Sequence, residues 1–264
     1  IMGQLGEQYA LGAYLGSEGL QSILDMMEGP DKFSTDLFFI QKCIMASFEN
    51  REDLEKEDRA MIKELGLKFR GKKQWPQFRS YEPGLYPWFI DAWECRFLTL
   101  ALQQALEVSL RCRSSKAIIE SDRPNTFLVR VPHNQGGIIT WVDQYLEPAP
   151  IIKKYVSIEI KDELRLRKVI ASGKSKQDVW EVDTFFAPFP VQEKKNERPY
   201  YPNVFLIVDR NTDIILGHEM TKDISEEGYQ FIHCITDLMI ELKIPSRILV
   251  ERDETYHLLN DICR

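Results

Sequence analysis

Residues 179–264 set out an order of elements that few folds can satisfy. Val179–Phe186 has the alternation of a strand, with Glu181 and Asp183 on one face and Trp180 and Val182 on the other. A polar, proline-bearing loop follows. Val204–Val208 and Ile214–Glu219 then flank Asp209-Arg210-Asn211-Thr212-Asp213 and predict a hairpin. That turn lacks the glycine and the distal glutamate of a calcium loop, so its Asp and Asn residues are turn formers. Ser225–Leu242 is an amphipathic helix, Arg247–Glu251 a short strand, and a further helix starts beyond it. The order is β-β-β-α-β-α.

That order resembles the core of ribonuclease-H-like nucleases and integrases. The resemblance places Asp183 where the first metal-binding aspartate of such a core lies, with Glu251 or Asp253 near the end of the fourth strand. Two-metal phosphodiester chemistry needs several carboxylates converging on hard cations roughly 3.5–4 Å apart. The set is incomplete: Glu226 and Glu227 sit early on the helix, and no later helix supplies another acid. No catalytic residue is therefore assigned. Magnesium or manganese held by Asp183, Glu251 and Asp253 is the alternative. The plainer expectation puts Glu181 and Asp183 on a solvent-facing strand side and makes Asp253 the cap of the last helix.

The chain has 264 residues and 30.9 kDa, enough for two domains with separate cores. Its net charge of −7 weighs against duplex binding, because neutralising phosphates requires clustered Lys and Arg. Five scattered cysteines, with no C-x-x-C pair, read as reduced thiols in a cytoplasmic setting. No apolar run approaches a membrane span and no leader precedes the first element. The chain opens on Ile1 and closes at Cys263-Arg264 inside an incipient helix, so native sequence beyond both ends is expected.

In the first half, Tyr9–Leu15 is β-like and Ser17 caps a helix to about Met27. Asp31–Thr35 is a turn cluster, and Leu37–Phe48 is apolar enough for a strand or strand pair. Asn50 to Asp53 cap a helix that ends at Gly66. Asp91 and Glu94 form a D-x-x-E capping box before a helix carrying Trp93, Phe97, Leu100, Ala101, Ala105 and Val108. A second stripe of Leu98, Leu102 and Leu106 predicts burial on more than one side. Phe127–Val131 and Ile138–Leu146 form a hairpin across Asn134-Gln135-Gly136-Gly137. Tyr155–Ile160 is a short strand, and Glu163–Ser172 a helix closed by Gly173. Pro148-Ala149-Pro150 is the domain seam, giving an α+β domain over 1–150 and an α/β domain with a mixed sheet over 151–264.

Met2-Gly3-Gln4-Leu5-Gly6-Glu7-Gln8-Tyr9, Ser47-Phe48-Glu49-Asn50-Arg51-Glu52-Asp53-Leu54, Phe69-Arg70-Gly71 with Trp75-Pro76, and Pro83-Gly84 with Pro87-Trp88 together resemble a bacterial domain of unknown function. Tyr201-Pro202 through Asp209, with Ile215-Leu216-Gly217, is similar to a second such domain that commonly follows it. The resemblance implies a bacterial two-domain family and brings no activity with it.

Other constellations are bland. His233 and Cys234 are about 100° apart on a helix and cannot share a metal without distortion. Asp253 and His257 are spaced as an i,i+4 ion pair. Gly12, Gly16 and Gly19 match no phosphate-binding motif, and no G-x-S-x-G is present. Lys68–Ile90 has no regular period and reads as an extended loop. It interleaves Arg70, Lys72, Lys73 and Arg79 with Trp75, Phe78, Tyr81, Tyr86 and Trp88, a mixture able to stack bases or grip a peptide. Arg70, Trp75, Phe78, Tyr86 and Trp88 are the candidate binding residues of a non-enzymatic binding or interaction protein. Protein or peptide partners are preferred over duplex nucleic acid, and a metal-dependent nuclease or phosphotransfer enzyme is the rival.

Overall fold

A computed structural model of the chain describes residues 9–27, 39–115, 118–120, 122–150 and 153–263. The Asp31–Thr35 turn and the first residues of the Leu37–Phe48 run lie outside the described residues. The architecture is mixed α/β, and the chain divides into two compact units. One comprises Ile1–Phe33, Ile40–Pro83 and Pro87–Ile151; the other comprises Ser34–Phe39, Gly84–Tyr86 and Ile152–Arg264.

In the first unit, β1 (Tyr9–Tyr14), α1 (Gly16–Met27), β2 (Cys43–Glu49), α2 (Lys56–Glu64) and β3 (Trp75–Tyr81) follow in order. The three strands form an antiparallel sheet with β2 at the centre. Gly19 lets α1 press on the strand before it: a Cβ there would come within 2.9 Å of the Tyr14 carbonyl carbon, and equally of the Lys42 carbonyl oxygen. Strand β3 corrects the expectation that Lys68–Ile90 is loop throughout. Pro76 cannot donate to a ladder, which obscures the strand in the sequence. β3 is an edge strand, where a missing N–H is tolerated.

Asn50 does not open α2. Arg51–Asp53 is a separate 3-10 turn, and α2 starts after a box in which Glu55 and Asp58 each accept the other's backbone N–H. It ends at Gly66, φ +66°, where Leu67 N–H reaches the Ile62 carbonyl at 3.0 Å and Gly66 N–H the Lys63 carbonyl at 3.1 Å. That is the left-handed glycine termination the sequence predicts.

The Asp91–Glu94 box forms with both reciprocal bonds and opens α3 (Ala92–Cys112). Leu98 alone on this helix is fully buried, packed with Ile44 and Ala46 of β2. Leu106, 63% exposed, and Trp93, 56% exposed, face out, so the second leucine stripe does not bury a second side as its pattern predicts. β4 (Phe127–Gln135) and β5 (Ile138–Leu146) close through Gly136 and Gly137, both at positive φ. Asp143 of β5 ties this hairpin to α3, accepting Arg111 at 2.6 Å and Arg130 at 2.7 Å. Hydrogen bonds from those two guanidinium groups hold its carboxyl below the ordinary carboxylate value.

The second unit runs α4 (Glu163–Ser172), β6 (Val179–Phe186), β7 (Asn203–Asp209), β8 (Ile214–Thr221), α5 (Ile224–Glu227), α6 (Tyr229–Leu242), β9 (Arg247–Leu249) and α7 (Asp253–Leu259). The sheet order is β8-β7-β6-β9, antiparallel except for the parallel pair β6 and β9. The single helix expected from Ser225 is interrupted at Gly228 into α5 and α6. Phe231, Ile232, Ile235 and Met239 of α6 pack on Trp180, Val182, Phe205 and Ile207, all on one sheet face. Tyr155–Ile160 is not a strand; its Val156, Ile158 and Ile160 pack against that core from chain without regular secondary structure. The 84–86 segment joins this unit through backbone: Leu85 pairs with Tyr200, and Tyr86 N–H donates to the Pro199 carbonyl at 2.9 Å.

Phe231 has no exposed surface and stacks on Phe205 at 5.0 Å. Phe231→Ala is expected to cost about 3–5 kcal/mol, read from urea unfolding of the second unit. The depressed Asp143 carboxyl contributes stability that is complete above about pH 3.9 and is lost as pH falls through its folded value. Asp143→Asn should therefore flatten the acid limb of a thermal-melting profile while lowering the melting temperature at neutral pH.

Candidate functional site

Helix α2 has two electrical faces. At about 100° per residue, Lys56, Arg59 and Lys63 fall on one side and Asp58 and Ile62 on the other. Asp58 faces the sheet, where its carboxylate accepts both Arg79 amino groups, at 2.9 and 2.6 Å. Both partners are almost wholly buried. Burial by itself would lower the Arg79 guanidinium, but the Asp58 hydrogen bonds and charge outweigh it and push it up.

The basic side of α2 forms one wall of a cavity of about 700 Å³. The glycine turn after α2 brings back Lys68, Phe69 and Arg70. The 3-10 turn supplies Arg51, and the first residue of β3 supplies Trp75. Among the described residues, six cations and two aromatic rings line the space, and no carboxylate does. Among the described residues, none of the six is held in an ion pair. The Arg51 guanidinium lies 5.7 Å from the centre of Trp75, and the Phe69 ring 6.0 Å from it. An anion with a planar group could meet charge and π-surface here together.

Of the candidate binding residues, the structure brings Arg70 and Trp75 into this cavity. Phe78 occupies the opposite face of β3, in register with Ala46. Trp88 pairs its backbone with Ser80, at 2.8 and 3.0 Å, and sets its ring 5.4 Å from Phe89. Tyr86 belongs to the second unit; its carbonyl accepts Arg198 at 2.8 Å and its ring lies 6.1 Å from Tyr201. Arg51, Lys56, Arg59, Lys63, Lys68 and Phe69 are missed by the sequence reading. The spacing of Lys56, Arg59 and Lys63 on a recognised helix was the signal that could have found three of them.

The acids of the second unit line a smaller cavity of about 330 Å³, on the sheet face away from α6. Glu181, Asp183 and Glu251 border it with Leu206, Val208 and Leu249. Each of the first two has a cation of its own. Arg252 lies 3.3 Å from Asp183 Oδ2 and donates to the Thr184 carbonyl at 2.6 Å, while Asp183 Oδ1 accepts Thr184 N–H at 2.8 Å. Arg210 lies 3.0 Å from Glu181. Asp253 points elsewhere, accepting the Tyr155 hydroxyl at 3.2 Å. His257 stacks on Tyr155 at 4.3 Å, so the expected Asp253–His257 pair is replaced by contacts to Tyr155. Among the described residues, no three His, Cys, Asp or Glu groups are placed to hold a metal ion. Burial, then Glu219 and Asp237, push the Cys234 thiol up to about 11, which disfavours the thiolate a metal would need.

Residues 1–130 match the family model described as domain of unknown function DUF7309, and residues 165–264 match DUF6930. The chain carries these two domains in succession. No curated protein and no solved structure matches it. The basic–aromatic cavity lies within the DUF7309 domain and the acidic one within the DUF6930 domain. Gly84–Tyr86, inside the DUF7309 match, packs as part of the unit that holds DUF6930. Among the described residues, no helix is long and apolar enough to cross a membrane.

The two arginine environments predict opposite behaviour. Arg79→Met strands Asp58 without its partner and should destabilise the DUF7309 domain by about 3–5 kcal/mol. Arg70→Met, at an exposed and unpaired cation, should leave the urea midpoint unchanged.

Proposed function

We propose that this is a non-enzymatic binding or interaction protein whose ligand site is the basic–aromatic cavity of the DUF7309 domain. One observation carries the reading: among the described residues, six cations line that cavity with no carboxylate among them, on a chain whose net charge is −7. Keeping like charges together without internal partners disfavours the folded state, and an anionic ligand relieves that repulsion.

The DUF6930 domain is read as a ribonuclease-H-like core that serves as scaffold. Support comes from three antiparallel strands followed, through α6, by a fourth strand parallel to the first and beside it. The five free cysteines accord with a reducing, cytoplasmic setting, and bacterial origin follows the family resemblance.

The rival reading is a metal-dependent nuclease or phosphotransfer enzyme using magnesium or manganese. Its support is that Asp183 and Glu251 border one cavity. Against it, the Asp183 carboxylate already has Arg252 and the Thr184 N–H as partners, so a cation would have to displace a charge-assisted contact. Titrating manganese into the full chain should give no heat that Asp183→Asn removes, and incubation with a labelled oligonucleotide should leave it intact. Manganese-dependent cleavage abolished by both Asp183→Asn and Glu251→Gln would establish the rival.

A further inference from the structure

We infer that the cavity of the DUF7309 domain binds single-stranded nucleic acid. This rests on the binding reading above and names its ligand class. Three features of the site converge on that chemistry. Its volume, about 700 Å³, lies within the range of roughly 300–1,000 Å³ typical of ligand sites. Its charge exceeds what one mononucleotide neutralises, which suits several consecutive phosphates. Its two rings, Phe69 and Trp75, line the same cavity as the cations.

The rings decide between polyanions. A polyphosphate or an acidic peptide offers charge but has no regular planar face to set on Trp75. Bases in a duplex are stacked on one another and cannot reach a ring inside a cavity. An unpaired strand supplies both parts, because every nucleotide carries a phosphate and a π-face. The cations are also distributed for a strand and not for a point charge. Lys56, Arg59 and Lys63 run along α2, and Lys68 and Arg70 run along the returning chain on either side of Phe69. DNA and RNA share the chemistry used here.

The test is fluorescence anisotropy of the full chain with labelled oligo-dT and oligo-rU of about a dozen nucleotides, between about 50 and 200 mM salt. Both wild-type titrations are expected to saturate. The slope of log K against log salt should shrink by about 2 in Lys56→Gln/Arg59→Gln/Lys63→Gln, at about 0.7 per lost phosphate contact. Trp75→Ala should weaken binding by roughly 5- to 150-fold with the slope retained. Phe69→Ala gives the same readout from a loop position, should Trp75→Ala fail to fold by circular dichroism.

Comparing dT with rU separates the two sugar types. Duplex binding as tight as single-strand binding, with no effect of either ring variant, would overturn the inference. So would inorganic polyphosphate or polyglutamate binding through the same three cations while no oligonucleotide binds, and in that case the cavity remains a ligand site. If no polyanion binds, the ligand-site reading falls with the inference.

Discussion

A parallel strand pair cannot be closed by a hairpin. β6 and β9 are such a pair, aligned Val179 to Arg247 through Glu181 to Leu249, so the chain must leave the sheet, cross one face and return. α6 makes that crossing and seals the face presented by Trp180, Val182, Phe205 and Ile207. The other face keeps the alternate residues, Glu181 and Asp183 among them, at a solvent-reachable cavity. The acidic cleft is thus a product of covering the sheet on one side. Arg252, delivered by the turn between β9 and α7, then binds both the strand's carbonyl at Thr184 and the carboxylate beside it. A protein-borne cation stands where an external one would have to coordinate.

How much of this can be read without coordinates follows the range of each interaction. The hairpin around Asp209–Asp213, the Asp91–Glu94 box and the Gly66 termination depend on residues within a few positions of one another, and the sequence shows them. β3 is hidden because an edge strand need not follow the rules of a central one at Pro76. The outward leucines of α3 follow a helical period as well as inward ones would, and periodicity alone does not say whether a partner exists. Arg252 sits between two acids in the chain, and only the fold shows that its partner is Asp183. The basic cavity lies between these cases: Arg70 and Trp75 stand out as part of a mixture of rings and charges, while only the fold shows that Lys56, Arg59 and Lys63 of the neighbouring helix face the same space.

Charge sorting explains how an acidic chain keeps a positive site. On α2 the acid that faces inward is consumed by Arg79, itself kept charged by that contact. Glu55 stands 3.7 Å from the same guanidinium. Asp58 is thus turned away from the site, and the α2 side chains that border the cavity are Lys56, Arg59 and Lys63 with Ala60 and Ile62. A net charge averages over such arrangements. The field at one cavity is set by which way each side chain of a single helix turns.

The backbone bridge at Leu85 and Tyr200, made by Tyr86 N–H to the Pro199 carbonyl and Tyr201 N–H to the Gly84 carbonyl, has a temporal side. Arg198 grips the Tyr86 carbonyl across 112 residues of chain. The ribosome releases Gly84–Tyr86 well before their partners, with Arg198 following Tyr86 by 112 positions. The later unit cannot complete its hydrogen bonding until that early piece has been threaded into place, a closure of high contact order. Cutting the chain at the proline-rich seam consequently separates peptide bonds without separating folding units: the downstream fragment is born lacking residues of its own, Gly84–Tyr86 among them.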